Sequence, residues 1–139
     1  MERLMQRKKI VSQSYNRLEH IIARFQEMHK TPEAFDEDEK MAYRDSLIKR
    51  FEFSCDVTWK FFKDLLEEKY GIKVASPKKV FQECAAQNII TQEESREFLA
   101  MVDARNATSH TYDEEMAEKV GLKIISFYDV MKTVFNRVE

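Results

Sequence analysis

Residues 117–138 read AEKVGLKIISFYDVMKTVFNRV. Within this stretch Ala117, Val120, Ile124, Phe127, Met131, Val134 and Val138 step by 3, 4, 3, 4, 3, 4. That spacing lines one side of a helix and sets it into a bundle. It predicts a helix over about 113–138. The same pattern recurs at the other end of the chain, where Leu4, Val11, Leu18 and Phe25 fall seven apart, flanked by Tyr15, Ile21, Ile22 and Met28. A first helix over about 3–29 follows, closed by Thr31-Pro32, because proline disfavours helix at the residue before it. Between the two lie three more helices. Asp36 and Glu39 form a capping-box start, and the second helix then runs to about Tyr70, with Gly71 as its stop. Its apolar set is Leu47, Ile48, Phe51, Cys55, Trp59, Phe62, Leu65 and Leu66. Ser76-Pro77 opens a short third helix over about 77–87. Thr91-Gln92-Glu93-Glu94 opens a fourth, which runs to about residue 105 with Phe98, Met101 and Val102 inward.

The composition agrees. Two Gly and two Pro in 139 residues cannot supply the turns of an all-β chain. The expected fold is all-α, a five-helix antiparallel bundle made of a four-helix up-and-down core plus one short helix. Residues 1–139 are expected to form a single domain. The scarcity of glycine also excludes a P-loop or a dinucleotide fingerprint, and neither pattern occurs. The net charge of −2 does not mark a nucleic-acid binder, though a local basic cleft stays open. Cys55 and Cys84 read as two reduced, buried thiols. No apolar run reaches the ~20 residues of a membrane span and no signal peptide is evident, so the expected location is the cytoplasm.

The chemistry lies in Arg105-Asn106-Ala107-Thr108-Ser109-His110-Thr111-Tyr112. On a continuous helix Arg105 shares the face of Phe98 and Val102, so a cation ends an apolar stripe. His110 falls about 140° away round an ideal helix, whereas Asn106 and His110 share a face. For Arg105 and His110 to act on one group, the helix must break between them, and Asn-Ala-Thr-Ser is weak helix-forming sequence. Plain readings exist for both: an arginine near a helix C-terminus is favoured by the dipole, and a lone histidine is commonly a structural hydrogen bonder. A second polar pair, Glu52 and Asp56, interrupts an aromatic-rich stretch. Its plain reading is a solvated strip paired with Arg50 or Lys60. No metal or cofactor is expected: E-x-x-H is missing, and His20 and His29 lie nine apart on opposite sides of the first helix.

Arg105-Asn106-x-Thr108-Ser109-His110-Thr111-Tyr112 resembles the R-x4-H-x-Y signature of the HEPN superfamily, and within it the small HepT-like chains known as nucleotidyltransferase substrate-binding proteins. Arg44-Asp45-x-Leu47-Ile48-x-Arg50-Phe51-Glu52-Phe53, then Asp56 and Trp59-Lys60, looks like the family's second block. Ser76-Pro77-Lys78 looks like a third. The resemblance implies a helical homodimer whose two signature copies face each other across a cleft. It further implies a toxin of a two-gene toxin–antitoxin module with metal-independent ribonuclease activity on RNA. The partner would be a minimal nucleotidyltransferase of the MNT type that transfers AMP to Tyr112. In that frame His110 is the acid/base, Arg105 the phosphate clamp, Asn106 an orienting group, and Glu52 and Asp56 are supporting residues. Two other readings stand beside this one: a non-catalytic substrate-binding subunit of a two-component nucleotidyltransferase, and a purely structural dimerisation bundle. For Tyr112 alone, a ring packed on the fourth helix and bonded to the Arg105 loop is the plain alternative.

Overall fold

The computed structural model describes residues 2–108 and 114–138. Among the described residues there are five α-helices, one 3₁₀ turn and no strand. The order is α1 Glu2–Lys30, the 3₁₀ turn Pro32–Ala34, α2 Glu37–Tyr70, α3 Pro77–Ala86, α4 Gln92–Thr108 and α5 Glu114–Val138. The expected all-α bundle is what forms.

Local chemistry sets most of the boundaries. The Asp36 carboxylate accepts from Glu39 N at 2.8 Å, and the Glu39 carboxylate accepts from Asp36 N at 3.1 Å. Thr91 and Glu94 make the same reciprocal pair at 3.0 and 2.9 Å. Gly71 stops α2 in the left-handed region at φ 67°, with the Gly71 and Ile72 N–H groups turned back on the Glu67 and Leu66 carbonyls. Ser76 stands at the start of α3, but its hydroxyl makes no capping bond, and Pro77 alone carries the start.

One boundary departs from expectation. α4 runs three residues past Arg105, to Thr108. Thr108 is buried, and its hydroxyl lies 2.6 Å from a Glu52 carboxylate oxygen and 2.8 Å from the Arg105 carbonyl. A contact with α2 thus holds a final turn that Asn106-Ala107-Thr108 would not hold by propensity.

α2 is the centre of the bundle and touches each of the other four helices. Its Phe51, Phe61 and Phe62 are fully buried together with Phe25, Phe81, Phe98 and Phe135. The Phe81 and Phe98 rings stack at 4.4 Å and join α3 to α4, with Phe62 of α2 edge-on to Phe81 at 6.0 Å. α5 buries a wider strip than its 3-4 seam, because it packs against three helices, α1, α2 and α4. Tyr128 and Phe135 are buried with the seam, while Phe127 and Val138 are only half-buried. The Tyr15 ring of α1 meets Tyr128 and Phe135 edge-on at 6.0 and 5.6 Å. Burial pushes the Tyr15 phenol above its ordinary range, and the phenol hydrogen-bonds Thr58 of α2 at 2.7 Å.

Ion pairs tie the ends together. Arg7 of α1 donates to the buried Asp64 of α2 at 2.8 Å. Arg137 of α5 makes a two-pronged contact with Glu94 of α4 at 2.9 and 2.7 Å. At the opposite end Glu118 of α5 accepts from Arg44 of α2 at 2.6 Å and bonds the His29 ring of α1 at 2.7 Å. Burial alone would raise the Glu118 pKa, yet Arg44 and His29 outweigh it and hold the carboxyl below its ordinary range.

Two expectations follow from this packing. A Cβ built on Gly121 of α5 would stand 2.6 Å from the buried Phe25 ring of α1, so the two helices approach there as only glycine allows. Gly121→Ala gains up to about 1 kcal/mol of helix propensity but incurs an overpacking cost of roughly 1–3 kcal/mol. Urea titration should show a net loss of about 1 kcal/mol; a stabilised variant would mean that Phe25 yields freely. The second concerns acid. A carboxyl depressed in the folded state contributes stability above its unfolded pKa, near 4.3 for Glu, and loses it as pH falls through the folded value. Glu118→Gln should therefore cost about 1 kcal/mol at pH 7. The gap to wild type should close as pH drops below about 4, and urea midpoints across that range measure it; a gap that stays constant with pH would exclude the linkage.

Candidate functional site

The site is built where α4 crosses α2. Phe98, Val102 and Arg105 follow one another on the inward face of α4, the first two buried and the third half-buried. The arginine therefore enters the helix interface rather than solvent, and a cation there needs anionic partners. α2 supplies two. The Arg105 Nε and Nη2 donate to the two Asp56 oxygens, each at 3.1 Å, in a fork-to-fork pair. Nη1 donates to Glu52 Oε2 at 3.2 Å. The same Glu52 oxygen takes the Thr108 hydroxyl at 2.6 Å, which closes a ring of contacts across the last turn of α4. The Asp56 hydrogen bond, with the nearby Glu52 charge, holds the Arg105 guanidinium ionised more firmly than usual.

Glu52 and Asp56 are thus not a solvated strip paired with Arg50 or Lys60. They converge on Arg105 because residues four apart share a helix face, and that face of α2 is turned toward α4. Beside the fork is a small pocket of about 50 Å³, walled by Cys55, Trp59, Pro77, Val102 and Asn106. Asn106 is brought to the site by the extra turn of α4. Burial, with the Asp56 charge behind it, pushes the Cys55 thiol well above its ordinary pKa, and burial pushes Cys84 up to about 12. Neither thiol is a nucleophile at neutral pH. Among the described residues no group of three or more His, Cys, Asp or Glu side chains converges as a metal site would.

Thr108 is the member of the cluster that sequence reasoning did not single out. Its signal was its position three residues after Arg105, which puts it on the same face once the helix continues. His110 and Tyr112 lie outside the described residues. Both flanks of their segment are fastened to α2: Thr108 by Glu52, and Glu114 by Arg44 at 3.5 Å. No helix of the described residues is long and apolar enough to cross a membrane.

Comparison with known proteins fits this geometry. The family described as nucleotidyltransferase substrate binding protein like matches residues 7–139. A solved protein from Thermus thermophilus is 34% identical, with 88% of this chain and 98% of that chain covered and a TM-score of 0.69. A tri-AMPylated HEPN toxin of Shewanella oneidensis, solved in complex with an MNT antitoxin, shares the fold at a TM-score of 0.76 and 16% identity, over 97% of this chain and 95% of that one. A mutant of the toxin–antitoxin pair MntA-HpeT gives a TM-score of 0.71 at 20% identity, over 94% and 97%. No curated protein matches. An R-x4-H-x-Y segment, a second-helix block that meets its arginine in space, and a family match over nearly the whole length lead to one assignment: the chain belongs to the nucleotidyltransferase substrate-binding-protein-like family.

Proposed function

We propose that this chain is the toxin of a two-gene toxin–antitoxin module: a metal-independent endoribonuclease that works as a cytoplasmic homodimer and is silenced when an MNT-type nucleotidyltransferase adenylylates Tyr112. The observation that carries the reading is the Arg105 fork. Arg105, Glu52 and Asp56 come from two separate blocks of the signature and meet within hydrogen-bond distance. The Shewanella oneidensis toxin, of the same fold, is AMPylated and bound to an MNT antitoxin, which supports the modification and the partner.

The chemistry follows from the residue types. RNA carries its own nucleophile, the 2′-hydroxyl. His110 takes the proton of that hydroxyl as its oxygen bonds to phosphorus. The bond to the 5′-oxygen breaks, and the partner's His110 returns a proton to the leaving group, so that a cyclic phosphate remains. Charge gathers on the phosphorane oxygens, and Arg105 meets it with a guanidinium plane whose orientation Asp56 and Glu52 already fix. Asn106 orients the imidazole or the phosphate. AMP on Tyr112, seven residues along the chain from Arg105, adds a phosphate and a bulky nucleotide that would compete with the RNA phosphate.

The description of the family, substrate binding for a nucleotidyltransferase, favours a second reading, in which the chain only presents a substrate to its partner. Expression separates the two. On the ribonuclease reading the chain alone halts growth and degrades RNA, and co-expressed partner relieves both. His110→Ala should lower cleavage about 10²–10⁴-fold with helicity retained. Arg105→Lys should also be poor, because a point charge cannot fork. Tyr112→Phe should remain toxic and escape the partner, and intact mass should show AMP on wild type but not on the Phe variant. A harmless wild-type chain that leaves RNA intact would sink the ribonuclease reading, and equal AMP addition to the Phe variant would remove Tyr112 as the acceptor.

A further inference from the structure

The Arg105 cluster holds one cation and two carboxylates, so it cannot draw a polyanion from solution. A basic depression lies round the same helix. A groove of about 460 Å³ between α1 and α2 is lined by Arg17 of α1 and by Asp45, Ser46, Lys49, Arg50 and Phe53 of α2. Three cations against one carboxylate leave it net basic in a chain whose overall charge is −2.

These cations are not spent on holding the fold. Arg3, Arg7, Arg24, Arg44, Arg105 and Arg137 each reach a carboxylate. Among the described residues Arg17, Lys49 and Arg50 reach none. Beside them Phe53 is 51% exposed, a large aromatic ring left in solvent on the groove wall. The groove also leads somewhere. Lys49, Phe53, Asp56 and Lys60 step by 4, 3, 4 and so form one stripe of α2. Phe53 stands about one helical turn from the carboxylate that holds Arg105.

Cations beside an exposed ring are what a single nucleic-acid strand needs: point charges for phosphates and a flat face for a base, with no demand on sequence. We infer that this groove binds single-stranded RNA, with phosphates on Arg17, Lys49 and Arg50 and a base on Phe53, and feeds the strand along α2 to the Arg105 site. The inference rests on the ribonuclease reading and adds to it a binding surface apart from the reacting groups.

The test uses the full chain and a fluorescent 2′-O-methyl oligouridylate, which lacks the hydroxyl that cleavage consumes. Anisotropy should show binding that weakens steeply with salt. Arg17→Ala with Arg50→Ala should lower affinity by about tenfold or more and reduce the log–log salt slope by ~1.4, at roughly 0.7 per single-strand phosphate. Phe53→Ala should lower affinity by about tenfold with the slope unchanged. Circular dichroism should be unaltered, since all three side chains are exposed. Wild-type affinity in these variants, with wild-type cleavage, would overturn the groove and leave the ribonuclease reading standing. A wild-type chain that neither binds the oligomer nor cleaves RNA would overturn both. Variants that keep RNA affinity but lose the nucleotidyltransferase would show an acidic protein, not RNA, in the groove.

Discussion

The meeting of Arg105 with Asp56 and Glu52 is the contact on which the rest of the site depends. It is a cation inserted at the end of an apolar stripe, and it is tolerable only because a neighbouring helix supplies carboxylates at matching height. In return it fixes several things together. It sets the register of α4 against α2. It gives Glu52 an oxygen to offer Thr108, which carries α4 one turn further. It also holds the guanidinium plane in one orientation, which the proposed role of stabilising developing charge would require before the reaction begins.

α2 can serve this purpose because most of its circumference is packed. One face takes α1 through Ser14, Ser54 and the Tyr15–Thr58 bond, where small side chains let the two helices come close. Another carries the phenylalanines that α3, α4 and α5 pack against. The remaining stripe is polar and runs past Phe53 to Asp56. A helix clamped on most of its circumference is a rigid rail, and rigid elements place functional side chains better than loops do.

How far the sequence revealed this depended on the range of each interaction. Helix starts were legible, because Asp36–Glu39 and Thr91–Glu94 close within a single turn. The stop at Gly71 was legible for the same reason. The end of α4 was not, because Thr108 is held by Glu52, 56 residues away in the chain. The plain reading of Glu52 and Asp56 fails by the same route: helix-neighbour rules point to Arg50 or Lys60, whereas the partner is Arg105, 49 residues from Asp56. A signal was nevertheless present. An arginine closing the stripe of Phe98 and Val102 calls for inward carboxylates, and Glu52 and Asp56, set among Phe51, Cys55 and Trp59, answered that description. The seam of α5 was legible in period and too narrow in width. A 3-4 spacing describes contact with one neighbour, and Tyr128 and Phe135 serve a second, α1.

On the ribonuclease reading proposed above, charge separates capture from chemistry. A guanidinium neutralised by two carboxylates acts over a few ångströms, where geometry decides its effect. Cations without carboxylate partners act over about a Debye length, near 8 Å at physiological salt, where geometry matters little. Keeping the two kinds apart, Arg105 on α4 and the others on α1 and α2, avoids a conflict. Were Arg105 left unneutralised to attract the substrate, it would bind ground-state phosphate and transition state alike, which tightens binding without speeding the reaction. On that reading, with attraction assigned to Arg17, Lys49 and Arg50, the held guanidinium of Arg105 would favour the more highly charged transition state, and that difference is the part of binding that accelerates a reaction.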